Sequence, residues 1–302
     1  MDDKIKILIT GGSGYLAVNI ANLLKTSFKI TLVTRNPEKI KLRHKNIKIK
    51  KISYTQKDLI NCSKKHDVVI HLVGTSSSFS SSNKKVSMSV KSSSTKNLVK
   101  ACNKNNISNI IYASSIKVYQ NFDKKNINNE SHIKENKDIY ALSHLCGEKI
   151  ILTESNPKIN VKILRLSNVF GLNSIHKSTE ASNNLVNSFC NNGLNLKSIF
   201  IKNPNIVRNF LPLNMLVKII FIIINNKIKK NIKIINVGYK SFTLYEIASL
   251  VKLRIKKLYK INIEIFNNQK IFKRKKILYK SQSYNNLYKK KIFLSQISKT
   301  LK

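Results

Sequence analysis

The sequence predicts an α/β fold, a doubly wound parallel sheet with a smaller C-terminal lobe, on three observations. The chain opens with a short β-branched run that ends in a glycine turn and passes into an amphipathic helix. Strand-like and helix-like segments then alternate from residue 5 to residue 166, the pattern of a parallel sheet with crossover helices. Beyond Gly171 the alternation breaks down. The expected division is residues 1–170, with some later segments returning to them, and residues 171–302 as the smaller lobe.

Each element follows from local pattern. Ile5, Ile7, Leu8 and Ile9 form a run too short for a helix, which stops at Thr10-Gly11-Gly12-Ser13-Gly14. Leu16, Ile20, Leu23 and Leu24 then recur at the spacing of one buried helix face. Residues 29–35 alternate as a second strand, residues 47–52 read as a third, and residues 67–73 as a fourth that is apolar on both faces. The one helical candidate between the third and fourth is short and polar. Residues 74–82, GTSSSFSSS, read as a serine-rich loop. A helix is expected over 86–103, a strand over 108–113, a polar loop over 121–137, a helix over 139–154 and a strand over 161–166. The remainder offers helices near 181–190 and 214–224, short strands, and a basic tail from Lys252 onward with one acid, Glu264.

Composition narrows the function classes. Hydrophobic content of 42% fits a globular protein with an ample core. Asp2 and Asp3 precede only a short apolar strand, unlike a signal peptide, and the apolar run 219–224 is far below the ~20 residues of a spanning helix, so a cytoplasmic protein is expected. Cys62, Cys102, Cys146 and Cys190 are scattered, which points to neither a disulfide framework nor a metal site. The net charge of +42 draws attention to nucleic acid, but of 56 basic residues six are Arg and the Lys excess is spread over both halves. Arg is the better bidentate reader of phosphate and bases, so compositional drift is the favoured reading of this charge.

The glycine turn carries the first chemistry. Gly11 suits a tight turn, Gly12 and Gly14 let backbone approach a pyrophosphate, and the helix N-terminus beyond offers N–H groups to an anion. This is the strand-to-helix setting of a Rossmann-type dinucleotide site, with Ser13, Tyr15 and Leu16 completing the turn and Leu72, Val73 and Gly74 at the carboxyl end of the fourth strand. At the end of the second strand, where an acid usually holds the adenosine ribose of NAD, the chain has Thr34 and Arg35. An Arg there can meet a 2′-phosphate, which slightly favours NADP over NAD; an Arg that simply ends a solvent-facing strand is the competing account.

Later motifs carry a family resemblance. YASSIKVY at 112–119 and YALSH at 140–144, with TGGSGYLA at 10–17, DVVIHLVG at 67–74, RLSNVFG at 165–171, VRNFLPLNML at 207–216 and INVGYKSFTLYEIA at 235–248, resemble the extended short-chain dehydrogenase/reductase family of NAD(P)-dependent sugar epimerases and dehydratases. The resemblance spans nearly the whole chain. It implies Tyr140 of Y-x-x-x-K as acid/base and Ser115, 25 positions earlier, as the group that hydrogen-bonds the reacting oxygen. A phenol with a pKa near ~10 needs a nearby cation to act as a base at neutral pH. The resemblance further implies Asn168, Asn184, Leu185 and Arg208 as contacts for a nucleotide-sugar, with Arg208 on its diphosphate, and makes residues 171–302 mainly a substrate lobe. A homodimer is also expected.

The departures bear on mechanism. His144 stands where the family has Lys, Lys91 stands four residues before Thr95 where the family offers Asn, and Ser53-Tyr54 lie where an acid near the adenine is expected. Three accounts stay open: His144 works in the lysine's place, Lys91 supplies the missing charge, or catalysis is lost. The functional readings are accordingly an NAD(P)-dependent epimerase, dehydratase or reductase of a nucleotide-activated sugar, or a non-catalytic dinucleotide-binding sensor or scaffold of the same fold. A nucleic-acid binder, supported by charge alone, is the least favoured.

Overall fold

The computed structural model describes residues 4–119, 127, 138–171, 184–225, 233–272 and 279. In chain order the elements are β1 (Lys6–Thr10), α1 (Tyr15–Leu24), β2 (Lys29–Thr34), β3 (Ile47–Lys51), α2 (Gln56–Ser63), β4 (Val68–His71), α3 (Ser77–Ser82), α4 (Lys84–Lys104), β5 (Asn109–Ser115), α5 (Ile139–Glu154) and β6 (Asn160–Leu166). They continue with β7 (Asn168–Phe170), α6 (Leu185–Asn195), β8 (Ser198–Ile201), β9 (Val207–Pro212), α7 (Leu213–Ile224), β10 (Ile234–Val237), β11 (Lys240–Thr243), α8 (Leu244–Tyr259) and β12 (Glu264–Asn267). Two compact units interleave along the chain: Met1–Gln120, Ile133–Arg165 and Val217–Ile235 form one, and Asn121–His132, Leu166–Leu216 and Asn236–Lys302 the other.

A seven-stranded sheet runs β3-β2-β1-β4-β5-β6-β10. β1 pairs in parallel with β2 and β4, β2 with β3, and β4 with β5. The chain moves outward from β1 through β2 to β3, then returns to add β4 on the other side. Strand order therefore reverses between β1 and β4, and the loops leaving their carboxyl ends diverge, the place where open α/β sheets hold ligands. Ile7, Leu8, Ile9, Val69 and Ile70 are fully buried, as strands covered on both faces require. α4 packs against α2 and α5. α5 lies close on β5 because a Cβ at Gly147 would collide with the Tyr112 hydroxyl.

The second unit has a three-stranded sheet, β11-β9-β7, and a parallel pair, β12-β8. β9 is antiparallel to β11 and parallel to β7. Its core gathers Phe170, Phe189, Phe210, Ile247, Val251 and Ile263.

The structure revises two local readings. Part of the serine-rich stretch read as loop is helical, because Ser76 accepts from the Phe79 N–H at 3.2 Å and Ser80 and Ser81 bond back to the carbonyls four residues earlier. The stretch from Lys252 is no mere basic tail either: its first part belongs to α8, which opens on a Thr243–Glu246 capping box and buries Leu244, Ile247, Ala248, Val251 and Ile255. The expected loop at 121–137 lies outside the described residues except for Ile127. Residues 181–183 do likewise, and the helix expected there begins at Leu185. Among the described residues no helix is long and apolar enough to cross a membrane.

Candidate active site

The glycine loop leaves β1 at the point where strand order reverses. Gly11 has φ +72°, and a Cβ there would lie 2.9 Å from the Leu72 carbonyl carbon and oxygen, so only glycine fits between the two diverging loops. At Gly12 a Cβ would meet the Val33 carbonyl oxygen at 2.9 Å, the same oxygen that accepts the Gly12 N–H. Gly14 precedes α1, and no side chain caps that helix N-terminus. A hydroxyl that sequence reasoning assigned no role closes the loop: Tyr54 accepts the Gly11 N–H at 2.8 Å and donates to the Val33 carbonyl at 2.7 Å. Its backbone sits at φ +64°, and burial pushes the phenol up to about 12, so it stays a neutral two-way bridge. Thr34 donates to the Ser13 hydroxyl at 2.9 Å and accepts the Asn36 N–H, whereas Arg35 is exposed.

Tyr140, Ser115 and His144 lie beside one another. Ser115 ends β5, and Asp138 caps α5 by accepting the Tyr140 N–H at 2.9 Å. That sets the Tyr140 phenol under the influence of the Ser115 side chain, with the Lys117 ammonium 5.3 Å from the ring centroid and the His144 ring edge-on at 4.6 Å. Burial raises the Tyr140 phenol above its ordinary value although the Ser115 side chain pulls it down. His144 lies one turn further along α5 and is 7% exposed. Burial, reinforced by the charge of Lys91, holds its imidazole well below the usual histidine range. The neutral ring is therefore the stable form, which turns the search for a cation toward Lys91. That residue, on α4, donates to the Val73 carbonyl at 2.8 Å.

Next to these residues lies a buried scaffold. Glu148 on α5 accepts from Ser114, and both its oxygens face Arg165 of β6 at 3.0 and 2.7 Å. Arg165 also donates to the Tyr119 hydroxyl at 2.8 Å. The Glu148–Arg165 pair thus ties α5 to β6, with β5 joined through Ser114 and the segment after it through Tyr119. A second bracket joins β1, β4 and α4 through His71. Thr95 spends its hydroxyl hydrogen on the Lys91 carbonyl at 2.6 Å, so the His71 Nε2–H donates to Thr95 at 3.1 Å and Nδ1 accepts from Thr10 at 2.7 Å.

The remaining candidates lie in the second unit. Asn168 starts β7 and spends its amide on the Asn209 carbonyl at 2.8 Å. Asn184 precedes α6 without capping it, and Leu185 is the first residue of that helix. Arg208 sits on β9 opposite Phe242 of β11.

The fold is that of an α/β protein of Rossmann type. Residues 7–238 match the NAD dependent epimerase/dehydratase family, and the chain belongs to it. Among solved structures, the chain is similar to the UDP-N-acetylglucosamine 4-epimerase of Methanobrevibacter ruminantium M1 in complex with UDP-N-acetylmuramic acid, with 21% identity, TM-score 0.77, and 100% of this chain and 98% of that one covered. The UDP-N-acetylglucosamine 4-epimerase of Bacillus cereus is 23% identical, with TM-score 0.70 and 98% and 95% covered. MoeE5 in complex with UDP-glucose and NAD is 14% identical, with TM-score 0.72 and 98% and 97% covered. No curated protein sequence matches the chain.

Proposed function

We propose that the protein is an NAD(P)-dependent enzyme of a nucleotide-activated sugar, an epimerase, dehydratase or reductase in which Tyr140 is the acid/base. The observation that carries the reading is the grouping of Tyr140 with His144, edge-on at 4.6 Å, and with the Ser115 side chain that pulls its phenol down, in the same unit as a glycine loop at which added Cβ atoms would meet backbone. The residues present fit a dinucleotide. Gly11, Gly12 and Gly14 let the loop fold tightly against Leu72, Val33 and itself, and the N-terminus of α1 beyond it, capped by no side chain, offers its N–H groups and dipole to a pyrophosphate. When bound, the nicotinamide supplies hydride acceptance and donation.

The chain's own contribution is proton handling and placement. Ser115 polarises the reacting oxygen of the sugar and orients the Tyr140 hydroxyl, while Tyr140 takes or returns the proton on that oxygen. A buried phenol with a raised pKa is a poor base until a cation helps it, so the site's charge decides its working pH. The first unit is read as the dinucleotide domain and the second as the substrate lobe, with Arg208 suited to a diphosphate by its bidentate fork and Asn168, Asn184 and Leu185 as further contacts in that unit. The UDP-sugars named with the similar structures support this substrate class.

Tyr140→Phe tests it, since only the hydroxyl is lost. On a panel of UDP-sugars, turnover should fall by roughly two to four orders of magnitude while NAD binding survives. Unchanged turnover dismisses Tyr140. NAD binding without turnover by the wild type favours the sensor or scaffold reading.

A further inference from the structure

Neither His144 nor Lys91 gives Tyr140 a dependable positive charge. His144 is held neutral by burial and by the charge of Lys91. Lys91 is occupied: its ammonium meets the Val73 carbonyl at 2.8 Å, the Ala113 carbonyl at 3.5 Å and the Tyr112 ring at 4.6 Å from its centroid. Burial also brings it down to about 7, so much of it carries no charge near neutral pH.

A third basic residue, to which the sequence motifs assign no role, lies against the tyrosine itself. Lys117 stands two positions beyond Ser115, in a short 3-10 turn over Ile116–Val118 that the Ser115 hydroxyl caps by accepting the Lys117 N–H at 3.2 Å. From this turn the side chain reaches two helices at once. Its ammonium donates to the Ser77 hydroxyl of α3 at 2.6 Å and stands 5.3 Å from the centroid of the Tyr140 ring on α5. Ser77, Lys117 and Tyr140 are each half-buried and belong to one unit. The serines around Ser77 fix α3 in turn: Thr75 bonds Ser80 at 2.9 Å within this stretch and donates to Ser87 of α4 at 3.1 Å. The ammonium is thus set in place rather than carried on a free stem.

A phenolate spreads part of its charge onto its ring, so a cation held there, within the ~4–6 Å over which an opposite charge favours ionisation, gains most once the proton has left. We propose that Lys117 is the cation that makes Tyr140 a usable base, with Ser77 and the serine-rich helix α3 as the support that holds it there. Lys117 acts through Tyr140 and is a positioning residue. This rests on the reading of Tyr140 as the acid/base. The groups around the phenol divide as the proposal requires: on α5, Asp138 opposes ionisation and His144 is neutral, Tyr112 of β5 keeps its proton beneath Lys91 of α4, and α3, SSFSSS, brings no titratable side chain. A cation favours the phenolate, so Lys117 lowers the pH at which Tyr140 serves as a base, and its loss moves that pH up.

The test follows Tyr140 directly. In protein isotopically labelled at the tyrosine Cζ, the Tyr140 nuclear magnetic resonance signal is assigned by its loss in Tyr140→Phe and titrated in the wild type, Lys117→Met, Lys117→Arg and Ser77→Ala, and kcat/KM is measured over the same pH range on the panel of UDP-sugars. Lys117→Met should move the Tyr140 titration up by about one pH unit and lower kcat/KM roughly tenfold at fixed pH, a deficit that a rise of about one pH unit restores. Lys117→Arg keeps the charge and should stay within about threefold of the wild type. Ser77→Ala should shift the titration less, in the same direction, and not at all when added to Lys117→Met. A Tyr140 titration unchanged in Lys117→Met overturns the proposal. So does a shift in Lys117→Arg as large as in Lys117→Met, since the charge is then not what acts. A shift confined to Lys117→Met and Ser77→Ala, with no sugar turned over by the wild type, upholds the role of Lys117 and overturns the enzyme reading instead.

Discussion

Two histidines lie buried around Lys91, and they differ in what their nitrogens meet. His71 has both satisfied, by Thr10 and Thr95, and joins three elements of the sheet layer. His144 has one ring nitrogen with no partner among the described residues, and its ring lies edge-on to Tyr140 at 4.6 Å. Burial and a depressed pKa are common to both and so separate nothing. What separates a structural group from one kept for a ligand is whether its hydrogen bonds are already complete.

That contrast can be broken by substitution. His71→Leu leaves the Thr10 hydroxyl without its acceptor and should cost about 2–3 kcal/mol in denaturant unfolding, whereas His144→Leu, which removes an incompletely bonded ring, should cost about 1 kcal/mol or less. Equal losses would erase the distinction. The pH dependence has a definite sign: both histidines are held neutral in the fold, so the unfolded chain binds more protons below its ordinary histidine pKa of ~6.5. Their contribution is complete above that pH and is lost as pH falls, and each His→Leu variant should flatten the acid limb of a stability titration.

Smaller effects sharpen the same comparison in the glycine loop. Tyr54→Phe removes a hydroxyl with two good bonds, and should lower stability by roughly 1 kcal/mol and weaken NAD binding a few-fold by loosening Gly11. An unchanged melting curve would show that the bridge holds nothing. Arg35→Ala should have the smallest effect, about two- to fivefold weaker NADP with NAD untouched, the scale of one exposed charge. NAD bound at least as tightly as NADP by the wild type, with neither altered in the variant, would make Arg35 a surface charge only.

The parts of the molecule legible in the sequence are those that local pattern decides. β1, the glycine turn, α1 and the 139–154 helix follow from periodicity and turn residues within a few positions of each other. Ser115 and Tyr140 were marked by their motifs, and the ends of β5 and α5 that carry them follow from local pattern. The Tyr54 bridge was not, since its partners lie 43 and 21 residues away and no motif marks a phenol bonded to backbone. His71 was hidden for the same reason, with Thr10 61 residues off. α8 was obscured because lysines crowd its outer face, although its capping box was there to be read. The neutrality of His144 is a property of its surroundings, which residue identity alone does not contain.

In the proposed reaction Tyr140 would move the proton on the sugar's reacting oxygen, and a bound nicotinamide would supply the hydride chemistry. The most direct test is to mix the NAD-loaded enzyme with a panel of UDP-sugars under single-turnover conditions and follow the near-ultraviolet absorbance of reduced nicotinamide. At least one sugar should produce that absorbance or turn over in the wild type, and do so roughly a hundredfold or more slowly in Tyr140→Phe. NAD shown to be bound, with neither reduction nor product from any sugar, or the same rate in both proteins, would contradict the account.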